Sequence, residues 1–202
     1  GQGTLSYDLL GWDVGAYTVR LGLSYRIGAV RTEDLPGWVG LGWTLEGTGS
    51  VSRSIDGLPD ELKPEVIYTT DDLNKLDASA AVEYMRSLRM LRQDAVLDRY
   101  SYSAPGISGS FVIENGKITE LPVSGNKIEF IGQTSEGVRD FRITSPDGTV
   151  YEFCEREHSR FVYSSIAVDI SQPVRDYTAV STWHLSRIIT PEGADTIEYV
   201  YA

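Results

Sequence analysis

The chain has one cysteine, two histidines and two methionines among its 202 residues. No hydrophobic run approaches the roughly 20 residues that carry a helix across a bilayer. The lone Cys154 excludes an internal disulfide; on a strand it reads as a small core residue and leaves the redox compartment open. His158 lies four residues after Cys154, which on a strand separates them by about 13 Å, too far for a thiolate–imidazole pair. His184 follows Trp183 with no nucleophile motif nearby, so both histidines read as structural or surface residues. Gly-x-Ser-x-Gly, a phosphate-binding glycine loop and zinc-ligand spacing are all missing. The expectation is therefore no enzyme, no metal and no cofactor.

Basic residues are also scarce. Eighteen Lys and Arg against 29 Asp and Glu give a net charge of −11, which repels phosphate backbones. The one basic run, Arg86, Arg89 and Arg92, is interspersed with apolar residues and reads as the solvated side of a helix, so no nucleic-acid partner is expected. There is no signal-peptide pattern. The strand-like opening "GTLSYDLL" and the close "DTIEYVYA" read as the ends of a piece cut from a longer chain.

What is present is β pattern and turn chemistry, with 41 % hydrophobic residues to build a core. Large apolar residues alternate at Leu5, Tyr7 and Leu9, then at Tyr17, Val19, Leu21, Leu23 and Tyr25. Period two with Gly11 and Gly15 flanking the link predicts a hairpin with one buried face. "WVGLGWTLEGTGSVSRSI" continues as one or two strands. Gly40 and Gly42 lie between Trp38 and Trp43, where missing side chains let an indole or a neighbouring backbone lie close. The two tryptophans are accordingly read as core anchors. An open, polar-rimmed groove beside them would instead signal ligand recognition, with Trp12, Trp38 and Trp43 as a stacking platform for sugar rings.

Residues 70–97 break the β pattern. Leu73, Leu76, Ala80, Tyr84, Leu88, Leu91 and Ala95 form one helical stripe, with Thr70 as N-cap, Asp71 and Asp72 in the first turn and Arg89 and Arg92 near the far end. Asp77 offers a second helix start that would split the segment. In either form the stripe predicts packing on a sheet face.

From residue 99 the strands return as a hairpin series. Asn115-Gly116 marks a tight type I′ turn. "FRITSPDGTVYEF" and "SRIITPEGADTIEYVY" share an Arg-Ile start and a Pro-acid-Gly corner, so Pro146-Asp147-Gly148 and Pro191-Glu192-Gly193 are expected to join antiparallel strands. The corners lie about 45 residues apart, a weak internal repeat. The fold expected is mainly β: antiparallel hairpins, sandwich-like or in a curled sheet, forming one domain over 1–202 with one helical insert.

Several of these segments resemble a known family. "LSYRIGAVRTEDLPGWVGLGWTLEGTGSVSRSIDGLPDE" is similar to the N-terminal segment of bacterial RHS/YD-repeat proteins through Leu23, Tyr25 and Gly28; through Trp38 to Leu45, including Gly40, Gly42 and Trp43; and through Gly49, Val51, Arg53, Gly57, Pro59, Asp60 and Glu61. "YSYSAPGISGSFVIENGK", "DGTVYEF" and "WHLSRI" resemble later segments of that family. The helical insert and residues 155–178 fall outside the resemblance. It implies a β domain leading a secreted or cell-surface protein, capping or seeding a shell of YD repeats that encloses a C-terminal toxin or effector. The partners it implies are other segments of the same longer chain and a toxin or effector cargo. The other reading open to the residues is a carbohydrate-binding module for a surface glycan.

One acidic loop remains. Asp56, Asp60, Glu61 and Glu65 offer oxygen donors but lack the alternation of a calcium loop, and neighbours in one loop do not establish a glycosidase pair. They read as a solvated loop ending in a capped helix.

Overall fold

The computed structural model describes residues 3–15, 17–28, 39–56, 59–62, 70–89, 96–132, 139–162, 177–191, 193 and 195–201. The predicted hairpin forms from β1 (Thr4–Val14) and β2 (Tyr17–Arg26), and β3 (Trp43–Glu46) adds to β2, giving an antiparallel sheet ordered β1-β2-β3. The link is tighter than the glycines suggest. Gly11 lies within β1, and only Gly15, at φ +58°, serves the turn. The register slips between Asp8 and Leu10. Leu9 is thus the extra residue of a bulge, and Leu10 replaces it opposite Leu21.

The remaining strands are β4 (Ser50–Ser54), β5 (Arg99–Ala104), β6 (Ile107–Glu114), β7 (Lys117–Glu120), β8 (Lys127–Ile131), β9 (Asp140–Thr144), β10 (Val150–Phe161), β11 (Tyr177–Ile189) and β12 (Thr196–Glu198). They form a second sheet ordered β7-β6-β5-β4-β11-β10-β9-β8, with β12 also on β11. Two meanders, β4 to β7 and β8 to β11, join where Thr182, Trp183 and His184 pair with Ser52, Val51 and Ser50. The sheet curls until β7 and β8 approach each other, so the architecture is a nearly closed barrel.

Alternation decides what fills it. Along β5, Tyr100, Tyr102 and Ala104 are buried while Arg99, Ser101 and Ser103 are exposed. Tyr100 stacks on Phe111 at 5.1 Å, and Phe141 meets Phe111 and Trp183 edge-on at 5.3 and 5.0 Å. Burying each such ring contributes about 2–3 kcal/mol. At the seam, Glu120 accepts hydrogen bonds from Tyr102 Oη and from the Ser124 amide and hydroxyl, and Asn126 Nδ2 donates to Tyr102 Oη at 2.7 Å. Burial pushes the Glu120 carboxyl up, but these bonds outweigh it and hold it below its usual value.

The turns follow their chemistry. Asn115 and Gly116 take φ +51° and +73° between the paired residues Glu114 and Lys117, the two-residue hairpin that Asn-Gly predicts. Gly148 at φ +92° closes the β9–β10 corner, where its amide donates to Ser145 O at 2.9 Å. Gly193 at φ +67° closes the β11–β12 corner, donating to Thr190 O at 2.8 Å; Glu192 lies outside the described residues.

The helical insert is split. α1 (Thr70–Lys75) and α2 (Ala78–Arg89) are separated at Asp77, whose Oδ1 accepts the Ala80 amide at 2.8 Å as an N-cap. Packing on a sheet face is not seen among the described residues, which leave out 63–69 and 90–95. Neither helix makes extensive contact with any strand among the described residues. Tyr84 is buried, whereas Leu73, Val82 and Met85 are exposed. The stripe fixes which face is apolar, not what lies against it. Leu91, Arg92 and Ala95 lie outside the described residues.

Candidate functional site

Two features stand apart from ordinary barrel construction: a buried charged latch at one end, and the open three-stranded sheet.

The latch starts from Arg53, which β4 turns inward beside Val51. Its guanidinium donates to Asp98 Oδ2 from Nε at 2.8 Å and to Glu61 from Nη1 at 2.9 Å and Nη2 at 2.5 Å. Asp98 accepts the Asp60 amide as well, and its own amide donates back to the Asp60 carboxylate. Pro59, fully buried, turns the chain into the 3₁₀ turn Asp60–Leu62 that presents these groups. The guanidinium also lies 5.7 Å from the Tyr100 ring centroid. Burial opposes the charge on Arg53, yet the Glu61 bonds and the surrounding carboxylates prevail and hold it protonated. Arg53, Pro59, Asp60 and Glu61 of the sequence motif are therefore brought together; Gly57 lies outside the described residues. Asp98 completes the latch from 37 residues beyond Glu61. No motif pointed to it, and a carboxylate directly before a strand is the only signal it left.

The open sheet carries one apolar face. The pairs Leu5–Tyr25, Tyr7–Leu23, Leu10–Leu21 and Trp12–Val19 place like with like across β1 and β2, and β3 adds Trp43 and Leu45. Among the described residues the turn end is covered, where Val14, Tyr17 and Val19 pack against the barrel core, and Leu21, Leu23 and Tyr25 of β2 are half-buried. Beyond it, Leu5, Tyr7, Leu10 and Trp12 are 45 to 59 % exposed. Such a contiguous patch is unusual on a soluble monomer.

Trp43 departs from expectation. It is half-buried on this face, 5.9 Å from Tyr7 and 5.2 Å from Tyr25 between ring centroids, and it is not a core residue. Among the described residues the fully buried indole is Trp183, because β11 runs through the middle of the curled sheet. Trp43 also lines an open cleft of about 510 Å³ with Glu46, Ser50, Ser103 and His184. Trp38 lies outside the described residues.

The flanking glycines are likewise reassigned. Gly40 and Gly42 take φ +106° and +76° and serve a turn; a methyl group on Gly40 would meet Trp43 only at an ordinary 3.7 Å. Close approach belongs to Gly47 and Gly49. A Cβ there would lie 1.8 Å from Arg20 O and 2.8 Å from Ser103 O.

The other candidates stay apart. No cluster of His, Cys, Asp or Glu fit to hold a metal occurs among the described residues. Of the calcium candidates, Asp60 and Glu61 are engaged in the latch and Glu65 lies outside the described residues. Cys154 is half-buried, with its amide bonded to Ser186 Oγ at 2.9 Å, and burial pushes its thiol up, away from the reactive thiolate. His184 contacts Glu157 at 3.2 Å and the Tyr201 ring at 5.5 Å. No helix is long and apolar enough to cross a membrane among the described residues. Compared with known proteins, the chain matches no family model, no curated protein and no solved structure.

Proposed function

We propose that this chain is a structural and interaction domain whose open three-stranded sheet is completed by other segments of a longer polypeptide. In this reading it is the leading β portion of a secreted or cell-surface protein of the RHS/YD-repeat kind, capping or seeding a shell that encloses a toxin or effector. The observation that carries it is the uncovered apolar face of Leu5, Tyr7, Leu10 and Trp12 beside a filled barrel. Exposed area of that composition is stabilised by association rather than by water. The test is to extend the polypeptide with the sequence that follows residue 202 in its gene and to compare backbone hydrogen exchange in β1 and β2. Tyrosine-aspartate repeats downstream, together with slowed exchange in β1, support the proposal. Absence of the repeats, or unchanged exchange, overturns it.

A second reading, carbohydrate binding, is favoured by the Trp43 cleft, where an indole meets the Glu46 carboxylate and the Ser50 and Ser103 hydroxyls. It ranks below the first because, of Trp12, Trp38 and Trp43, Trp43 alone among the described residues lines this cleft, and its half-buried ring is packed against Tyr7 and Tyr25 rather than free to stack on a pyranose. Glycan-array binding that disappears in Trp43→Ala, with the circular dichroism spectrum retained, would reverse that order.

A further inference from the structure

β1 is an edge strand. Its outward backbone groups pair with nothing among the described residues, since β2 is its only strand neighbour. Natural sheets blunt such edges by shortening them, by placing Lys or Pro on them, or by covering them. β1 runs for 11 residues with neither Lys nor Pro, and its single irregularity is the bulge at Leu9.

Its side chains form two rows. Leu5, Tyr7, Leu10 and Trp12 make the apolar row already described. Thr4, Ser6, Asp8, Gly11 and Asp13 make the other, facing Arg26, Ser24, Gly22, Arg20 and Thr18 of β2. Asp8 and Asp13 are the only charged residues on the strand. The nearest cations of that face, Arg20 and Arg26, sit one strand further from the free edge, opposite Gly11 and Thr4. Asp13 accepts a bond from the Thr18 hydroxyl at 2.8 Å rather than from a cation. The bulge divides the edge into the runs 4–8 and 10–14, and each run holds one aspartate.

Resting on the reading of this sheet as an interface, we infer that β1 accepts an added strand from a polypeptide segment that alternates apolar and basic residues. Backbone pairing supplies the affinity, and the partner's apolar side chains extend the Leu5–Trp12 row. Its Lys or Arg residues fall opposite Asp8 and Asp13, where directly facing Cβ atoms lie about 4.5–5.5 Å apart. The net charge of −11 steers a basic segment toward the molecule. A second copy of this chain fits less well, because β1 against β1 adds two acidic rows to each other.

The test uses the whole 202-residue chain and two synthetic peptides of the length of β1, one alternating valine with lysine and the other valine with glutamate. The lysine peptide is expected to slow amide exchange in β1 while leaving β8 unchanged, and to bind about tenfold more tightly than the glutamate peptide at low salt. The double variant Asp8→Lys, Asp13→Lys is expected to reverse that preference; an unchanged near-ultraviolet circular dichroism spectrum checks its fold. Equal binding of both peptides overturns the basic partner but leaves the sheet an interface. No slowing with either peptide overturns strand addition at β1, whatever the longer polypeptide shows. Slowing that rises with protein concentration and needs no peptide overturns the inference in favour of self-association.

Discussion

Arg53 and Asp98, 45 residues apart, are joined by two hydrogen bonds from one guanidinium to a single carboxylate oxygen, Nε at 2.8 Å and Nη2 at 2.5 Å. Both side chains are essentially buried, whereas that of Glu61, the second acceptor, is 39 % exposed. Asp98→Ala leaves the guanidinium with Glu61 as its remaining carboxylate and the Asp60 amide without its acceptor, so it is expected to cost about 2–3 kcal/mol, and Glu61→Gln, at a part-exposed site, about 1 kcal/mol or less. Urea unfolding measures both. Equal losses would show that the latch does not hold the 53–61 segment to the start of β5.

Gly47 and Gly40 both take positive φ, but only Gly47 lies against backbone. Gly40→Ala is expected to lose about 1 kcal/mol, the cost of a left-handed conformation. Gly47→Ala must in addition push the β3–β4 link away from Arg20 O of β2, so its loss is expected to exceed that of Gly40→Ala by about 2 kcal/mol or more. Comparable urea midpoints for the two variants would contradict this packing of the β3–β4 link against β2.

These two cases show where the sequence was legible. Period two along Tyr17 to Tyr25, the Asn115-Gly116 turn and the two Pro-acid-Gly corners are local signals, and each found its element. Long-range pairing is not encoded locally. Nothing around Asp98 announces Arg53, and nothing in β4 announces that β11 pairs with it. Glycine poses the same difficulty, because the residue that a backbone presses against comes from elsewhere in the chain. Trp43 and Trp183 make the point for burial: both sit in alternating strands, and only the curl of the larger sheet encloses one of them.

Trp183 is 1 % exposed and Trp12 is 45 % exposed. Trp183→Ala opens a cavity beside Tyr100 and Phe141 and is expected to cost about 3–5 kcal/mol. Trp12→Ala is expected to cost about 1.5 kcal/mol or less in the isolated chain, because nearly half of its surface is already in water. Thermal unfolding followed by far-ultraviolet circular dichroism compares them. A large loss at Trp12 would mean that the open sheet is covered in solution.

Asp147 supplies a pH test. Ser145 Oγ, the Thr149 amide at 3.0 Å and Thr149 Oγ1 at 3.1 Å all donate to its carboxylate, and these bonds hold it below the usual aspartate value. The unfolded chain, with its carboxyl near about 3.9, then binds more protons than the folded one, so stability rises with pH through that window. The contribution is fully present above the unfolded value and is lost as pH falls through the folded one. Asp147→Asn keeps one acceptor oxygen but no charge. Its deficit against the parent protein is expected to be constant near neutrality and to shrink as pH falls from about pH 5 through the unfolded value and below it. Other carboxylates titrate in both proteins and cancel in the difference, provided they do not touch this turn. Urea midpoints measured across that range decide the matter, and a deficit that does not change with pH would show that the β9–β10 corner does not depend on the Asp147 charge.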